Sequence, residues 1–121
     1  MAKIMIVEDD PIISDDLKNC LTKAGHVVTS IETKGEAAFS TVQLNNPDIV
    51  LMDIRLAGII DGIESAAVIT KRYNIPIIFL TAFSNEKYLT RAKTIDFVDY
   101  IVKPYDENEL LKKIDASVKK R

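Results

Sequence analysis

Five short runs along the chain, Ile4–Val7, Val27–Ile31, Ile49–Met52, Ile77–Leu80 and Tyr100–Val102, are rich in valine and isoleucine and mostly apolar at every position. Runs of this kind suit parallel strands covered by helices on both faces, rather than strands with one face in water. Between them the apolar residues recur at helical spacing. Ile13, Leu17, Cys20, Leu21 and Ala24 predict a first helix, with Gly25 as its stop signal. Ala38, Phe39 and Val42 mark a second, ended near Asn45-Asn46-Pro47, and Ile63, Ala67 and Tyr73 lie on a third. Ser84 can cap a fourth that runs to about Thr94. Asp106 with Glu109 forms a capping-box pattern ahead of a fifth, whose apolar stripe is Leu110, Leu111, Ile114 and Val118.

Five βα units in register predict an α/β fold: a doubly wound parallel sheet, because parallel strands need crossover connections and those are right-handed. No repeat or Pro/Gly/Ser-rich linker interrupts residues 1–121, so a single domain is expected. In such sheets ligands bind beyond the carboxyl ends of the strands, where strand order reverses. The residues at those ends are therefore the candidates for chemistry. The first strand ends in Glu8, Asp9 and Asp10, the third in Asp53, the fourth in Thr81 and the fifth in Lys103-Pro104; the second ends in nothing chemically distinctive.

Composition narrows the partners. With 121 residues, 47% hydrophobic and 28% charged, the chain has the balance of a folded domain. A formal net charge of -2 gives no electrostatic reason to expect nucleic acid or an anionic membrane as partner. The longest apolar runs, such as Ile75–Leu80, fall far short of the roughly 20 residues that span a bilayer. No signal peptide is visible ahead of Glu8, and the one cysteine, Cys20, excludes an intrachain disulfide or a Cys-rich metal site. The expected compartment is the cytoplasm.

Several carboxylates at one rim repel each other, by roughly 4 kcal/mol for two unit charges about 4 Å apart at an effective dielectric of about 20. A hard divalent cation relieves that repulsion, and one or two carboxylates with water are the usual way of holding magnesium. Lys103 can satisfy part of the same charge. A carboxylate beside a magnesium ion, a lysine and a hydroxyl is equipped to accept a phosphoryl group as an aspartyl phosphate.

Ile-Val-Glu8-Asp9-Asp10 after the first strand, Asp53 after the third, Thr81-Ala82 after the fourth and Tyr100-Ile-Val-Lys103-Pro104-Tyr105 at the fifth resemble the receiver family of two-component response regulators. The resemblance covers essentially the whole chain. It implies a flavodoxin-like (βα)5 fold with strand order 2-1-3-4-5, and Asp53 as the phosphoacceptor. It implies magnesium (or manganese in its place) ligated by Asp9, Asp53 and the backbone carbonyl of Arg55, with Glu8 acting through water. Thr81 and Lys103 are implied to bind the phosphoryl group, Thr81 and Tyr100 to form the switch, and Lys103-Pro104 to be a cis peptide. The implied partners are a sensor histidine kinase or phosphotransfer protein, with a phosphorylation-dependent dimer or effector contact through the fourth predicted helix, the fifth strand and the fifth helix.

The sequence departs from the family after Asp53, where Ala57 stands in place of a common proline and Asp61-Gly62 falls one residue late, so the loop from Arg55 to Gly62 is longer. Ile95-Asp96-Phe97 replaces the usual Gly-Ala before the fifth strand, and Arg55 is a long cation where many members are small or polar. Local readings are plainer. Asp10 serves as a helix cap. Tyr100 alone reads equally as packing, Cys20 as inert core, His26 as a surface residue, and Lys112, Lys113, Lys119, Lys120 and Arg121 as the solvated face and end of the fifth helix. Three functions compete: a phosphorelay switch, free-standing or part of a hybrid kinase or multidomain transcriptional regulator; a binding module that keeps the fold without the chemistry; and a phosphatase working through an aspartyl intermediate. The last ranks lowest, since the general acid such enzymes carry two residues after the nucleophile is here Arg55. No enzymatic turnover is therefore expected beyond the chain's own phosphorylation and dephosphorylation.

Overall fold

The structure, a computed structural model, describes residues 1–53, 62–81, 90 and 98–120, with the side chains of 36, 39, 62, 81, 98 and 120 outside that description. Its strands are β1 (Lys3–Val7), β2 (Val27–Glu32), β3 (Ile49–Asp53), β4 (Ile77–Thr81) and β5 (Val98–Val102). Its helices are α1 (Pro11–Lys23), α2 (Gly35–Asn45), α3 (Gly62–Tyr73) and, at the end of the chain, α4 (Glu107–Lys120). Of the fourth predicted helix only Thr90, which is helical, is among the described residues, so α4 is the fifth predicted one.

All strand pairs are parallel, in the order β2-β1-β3-β4-β5. From β1 the chain steps outward to β2 and then returns to the other side of β1 as β3, so the order reverses between β1 and β3. The apolar runs are explained by cover on both faces. Met5, Val7, Val50, Met52, Ile77 and Phe79 pack under α2 and α3 through Ala38, Val42, Ile63, Ala66 and Ile69. Ile4, Ile6, Ile49, Leu51, Ile78, Leu80 and Ile101 pack under α1 and α4 through Leu17, Leu21, Leu110 and Ile114. In the central strands β1, β3 and β4, burial on both faces leaves no position for a polar residue except at the ends, whereas the outer strands carry Thr29, Ser30 and Asp99 within them.

The helix ends follow local chemistry. Asp10 Oδ1 accepts the Ile12 N–H at 2.9 Å, and Pro11 supplies a first helical residue that needs no N–H partner. Asn46 closes α2 in the left-handed conformation (φ 45), which asparagine tolerates better than most residues. At α4 the cap is simpler than the expected box: Asp106 Oδ1 accepts the Asn108 N–H at 3.1 Å, while Glu109 is exposed.

Three readings need correction. His26 is half-buried, and its Nδ1 accepts the Ala2 N–H at 3.0 Å, tying the start of β1 to the α1–β2 turn. Cys20 is half-exposed beside Asp16, Asn19, Lys23, Glu107 and Leu111 at the α1–α4 seam, because the stripe it belongs to is centred on Leu17 and Leu21. Lys113 is not on the solvated face: its Nζ lies 3.2 Å from Asp99 Oδ1.

Candidate functional site

The register of the central strands aligns their carboxyl ends. Val7 is level with Met52, Asp53 with Leu80, and Thr81 with Val102. Glu8 and Asp9 therefore leave β1 beside the last residue of β3, which is Asp53 itself, at the point where strand order reverses. This is the crevice in which open parallel sheets bind their ligands.

One carboxylate oxygen from each of Glu8, Asp9 and Asp53 lies within 4.8 Å of the other two. Lys103, the residue after β5, brings Nζ to 3.4 Å from Glu8 Oε1 and 3.7 Å from Asp53 Oδ2. The Lys103–Pro104 peptide bond is cis. Glu8 is buried, Asp53 half-buried and Asp9 exposed, so the cluster opens toward solvent on the Asp9 side. Asp10 takes no part beyond its cap, although its N–H donates weakly to Glu8 Oε2 at 3.4 Å.

Among the described residues three carboxylates face one ammonium, and the imbalance falls on Glu8. Burial raises its carboxyl from 4.5 to about 7; the charge on Asp53 and hydrogen bonds that a protonated Glu8 makes with Asp53 and Asp9 act in the same direction, against the pull of Lys103. A second positive charge would reverse that balance. The donor set is oxygen only and carboxylate-rich, with neither imidazole nor thiol among the described residues of the cluster, which suits a hard divalent cation such as magnesium rather than zinc or copper.

Arg55 and the loop to Asp61 lie outside the described residues, as do Ile95-Asp96-Phe97 and the side chain of Thr81; only the backbone of Thr81, ending β4 on the same rim, is placed. Tyr100 is on β5 and 36% exposed. Asp99, an acid inside an otherwise apolar strand, was the signal that sequence reasoning passed over: it pairs with Lys113.

Residues 4–115 match the response regulator receiver domain family. The transcriptional regulatory protein PdtaR of Mycobacterium tuberculosis is 32% identical over 116 residues, covering 96% of this chain and 56% of that protein. The uncharacterized transcriptional regulatory protein YrkP of Bacillus subtilis is 37% identical over 118 residues, covering 98% of this chain and 50% of that protein. The chain thus spans about half the length of the curated relatives it matches. Among solved structures, the signal receiver domain of a modulated diguanylate cyclase from Desulfovibrio desulfuricans superposes with a TM-score of 0.92 at 33% identity, covering 99% of this chain and 95% of that one.

Proposed function

We propose that this chain, which belongs to the response regulator receiver domain family, is a phosphorelay switch that accepts a phosphoryl group on Asp53 in a magnesium-dependent reaction. The observation that carries the reading is the meeting of Glu8, Asp9 and Asp53 within 4.8 Å, with Lys103 3.7 Å from the Asp53 carboxylate.

Magnesium fits the residues present, because a buried glutamate that takes up a proton more readily than usual marks a site short of positive charge. Asp9 and Asp53 are the direct ligands in this proposal, with the Arg55 carbonyl, and Glu8 acts through water. When bound, the ion would neutralise phosphoryl oxygens and bring donor and acceptor together. The remaining work falls to the chain. An Asp53 carboxylate oxygen attacks phosphorus, the new O–P bond forms as the P–N bond of a donor phosphohistidine breaks, and the freed imidazole nitrogen takes up a proton. Lys103, already beside Asp53, holds a phosphoryl oxygen without having to be recruited. The Thr81 hydroxyl is proposed to donate to another phosphoryl oxygen. Tyr100 follows Thr81 inward, changing the face built from the fourth predicted helix, β5 and α4, through which an effector or a second copy binds.

Family membership supports a histidine kinase or phosphotransfer protein as donor. The half-length match supports the version in which such a domain works joined to others, as in a multidomain regulator. Incubation of the protein with magnesium and acetyl phosphate tests the chemistry. One acid-stable, base-labile phosphate per chain is expected, absent with EDTA and absent in Asp53→Asn; undiminished labelling of that variant would remove Asp53 from the role.

A further inference from the structure

We propose that Lys113 is a positioning residue for Tyr100, holding the ring on the outer side of β5 and opposing the inward turn of the switch; this rests on the reading of Asp53 and Tyr100 given above. Strand β5 lies at one end of the sheet and, among the described residues, pairs with β4 alone. Asp99 belongs to this end strand. Its Oδ1 accepts the Tyr100 backbone N–H at 2.7 Å, and its two oxygens take the Lys113 Nζ at 3.2 and 3.3 Å. A charged residue on an edge strand blunts pairing with other chains, but the geometry here does more than that.

Neighbouring strand residues point to opposite faces. Ile101 belongs to the face covered by α1 and α4, so Asp99 shares that face while Tyr100 points to the other. Lys113, rooted on α4, reaches around the edge and places its ammonium 5.9 Å from the centre of the Tyr100 ring. With Asp99 42% and Lys113 30% exposed, the ion pair itself contributes little stability. Its effect is to bias where the ammonium lies, beside both Asp99 and the ring. An inward turn of the ring gives up that contact. A contact made in one position of the ring and not in the other shifts the population between them. A cation–π contact at a partly exposed site corresponds to about a two- to fivefold bias.

Fluorine NMR of the full chain labelled with meta-fluorotyrosine, with Tyr100→Phe used to assign the signal, reads the ring directly, and beryllium fluoride with magnesium serves as the phosphoryl mimic. In Lys113→Met the Tyr100 signal of the untreated protein is expected to move toward its beryllium fluoride position, and acetyl phosphate labelling to quicken about two- to fivefold. Asp99→Asn, which leaves the lysine but releases it, is expected to move the signal the same way by less. Lys113→Arg keeps the wild-type signal, and Lys112→Met, the same charge change on the exposed face, has no effect. If wild type responds to the mimic and both Lys113→Met and Asp99→Asn match it in every state, the positioning role is wrong while the switch stands. If wild type neither takes up phosphate nor responds, the underlying reading fails and the positioning role with it.

Discussion

Replacing Glu8 with glutamine isolates the electrostatic cost of the rim. In the metal-free protein the Glu8 carboxyl is raised from 4.5 to about 7, chiefly by burial and by Asp53. Below about pH 4.5 the carboxyl is protonated folded or unfolded, and the difference contributes nothing. As pH rises toward 7 the unfolded chain releases this proton while the folded chain keeps it, so folding loses stability. Above about pH 7 both forms are ionised and the full penalty is present, about 3 kcal/mol from the difference between 4.5 and about 7. Glutamine has the shape of the protonated acid and removes this dependence. The stability of Glu8→Gln minus that of wild type is therefore expected to grow by about 3 kcal/mol between about pH 4.5 and pH 8, or roughly 10 °C in Tm for a chain of this size. Urea unfolding in EDTA across that range, read by circular dichroism, measures the difference and cancels the titrating groups remote from the rim. With millimolar magnesium at the alkaline end the gap is expected to narrow, since only wild type has the extra charge to offer the ion. A difference that stays flat with pH, or a wild type that becomes the more stable as pH rises, would show that Glu8 is not held short of positive charge.

Two further expectations concern α1. Asp10→Ala removes the cap on the Ile12 N–H and should lower stability by about 1 kcal/mol, with the stabilising response to magnesium retained, as measured by the same unfolding with and without the ion. Cys20, raised by burial and by the nearby Glu107 and Asp16 carboxylates, should alkylate with iodoacetamide at neutral pH more slowly than a free cysteine, and Asp16→Asn should speed it; a rate above that of free cysteine would contradict the geometry of the α1–α4 seam.

What could be read from the sequence followed from one constraint, that strands covered on both faces carry polar groups only at their ends. Ile4–Val7 and Ile49–Met52 announced both the core and the rim, since the first polar residues after them, Glu8 and Asp53, had nowhere else to go. The caps at Asp10 and Asp106 were legible because they bond within two residues. Contacts across long separations were not. His26 meets Ala2 across 24 residues, and Lys113 meets Asp99 across 14. Each looked like an ordinary polar residue because no local pattern encodes a partner brought in by the fold. Cys20 shows the related difficulty: helical spacing gives the direction of an apolar stripe but not how far the neighbouring helix extends over it.

In the proposed switch, Lys103 links the rim to β5. Lys103 serves Glu8 and Asp53 at once, at 3.4 and 3.7 Å, so a phosphoryl group on Asp53 would change what Lys103 pairs with. That lysine directly follows β5, three residues beyond Tyr100, and β5 is the end strand of the sheet. A strand buried among others is held by ladders on both edges and has little room to respond. Among the described residues β5 has one ladder, to β4, and beside it the Asp99–Lys113 pair, whose partly exposed charges hold it only weakly. A change of charge at the rim therefore acts next to an end strand that has one ladder among the described residues. In the proposed switch, a partner would read the change at Tyr100 and at Lys113 of α4 beside it.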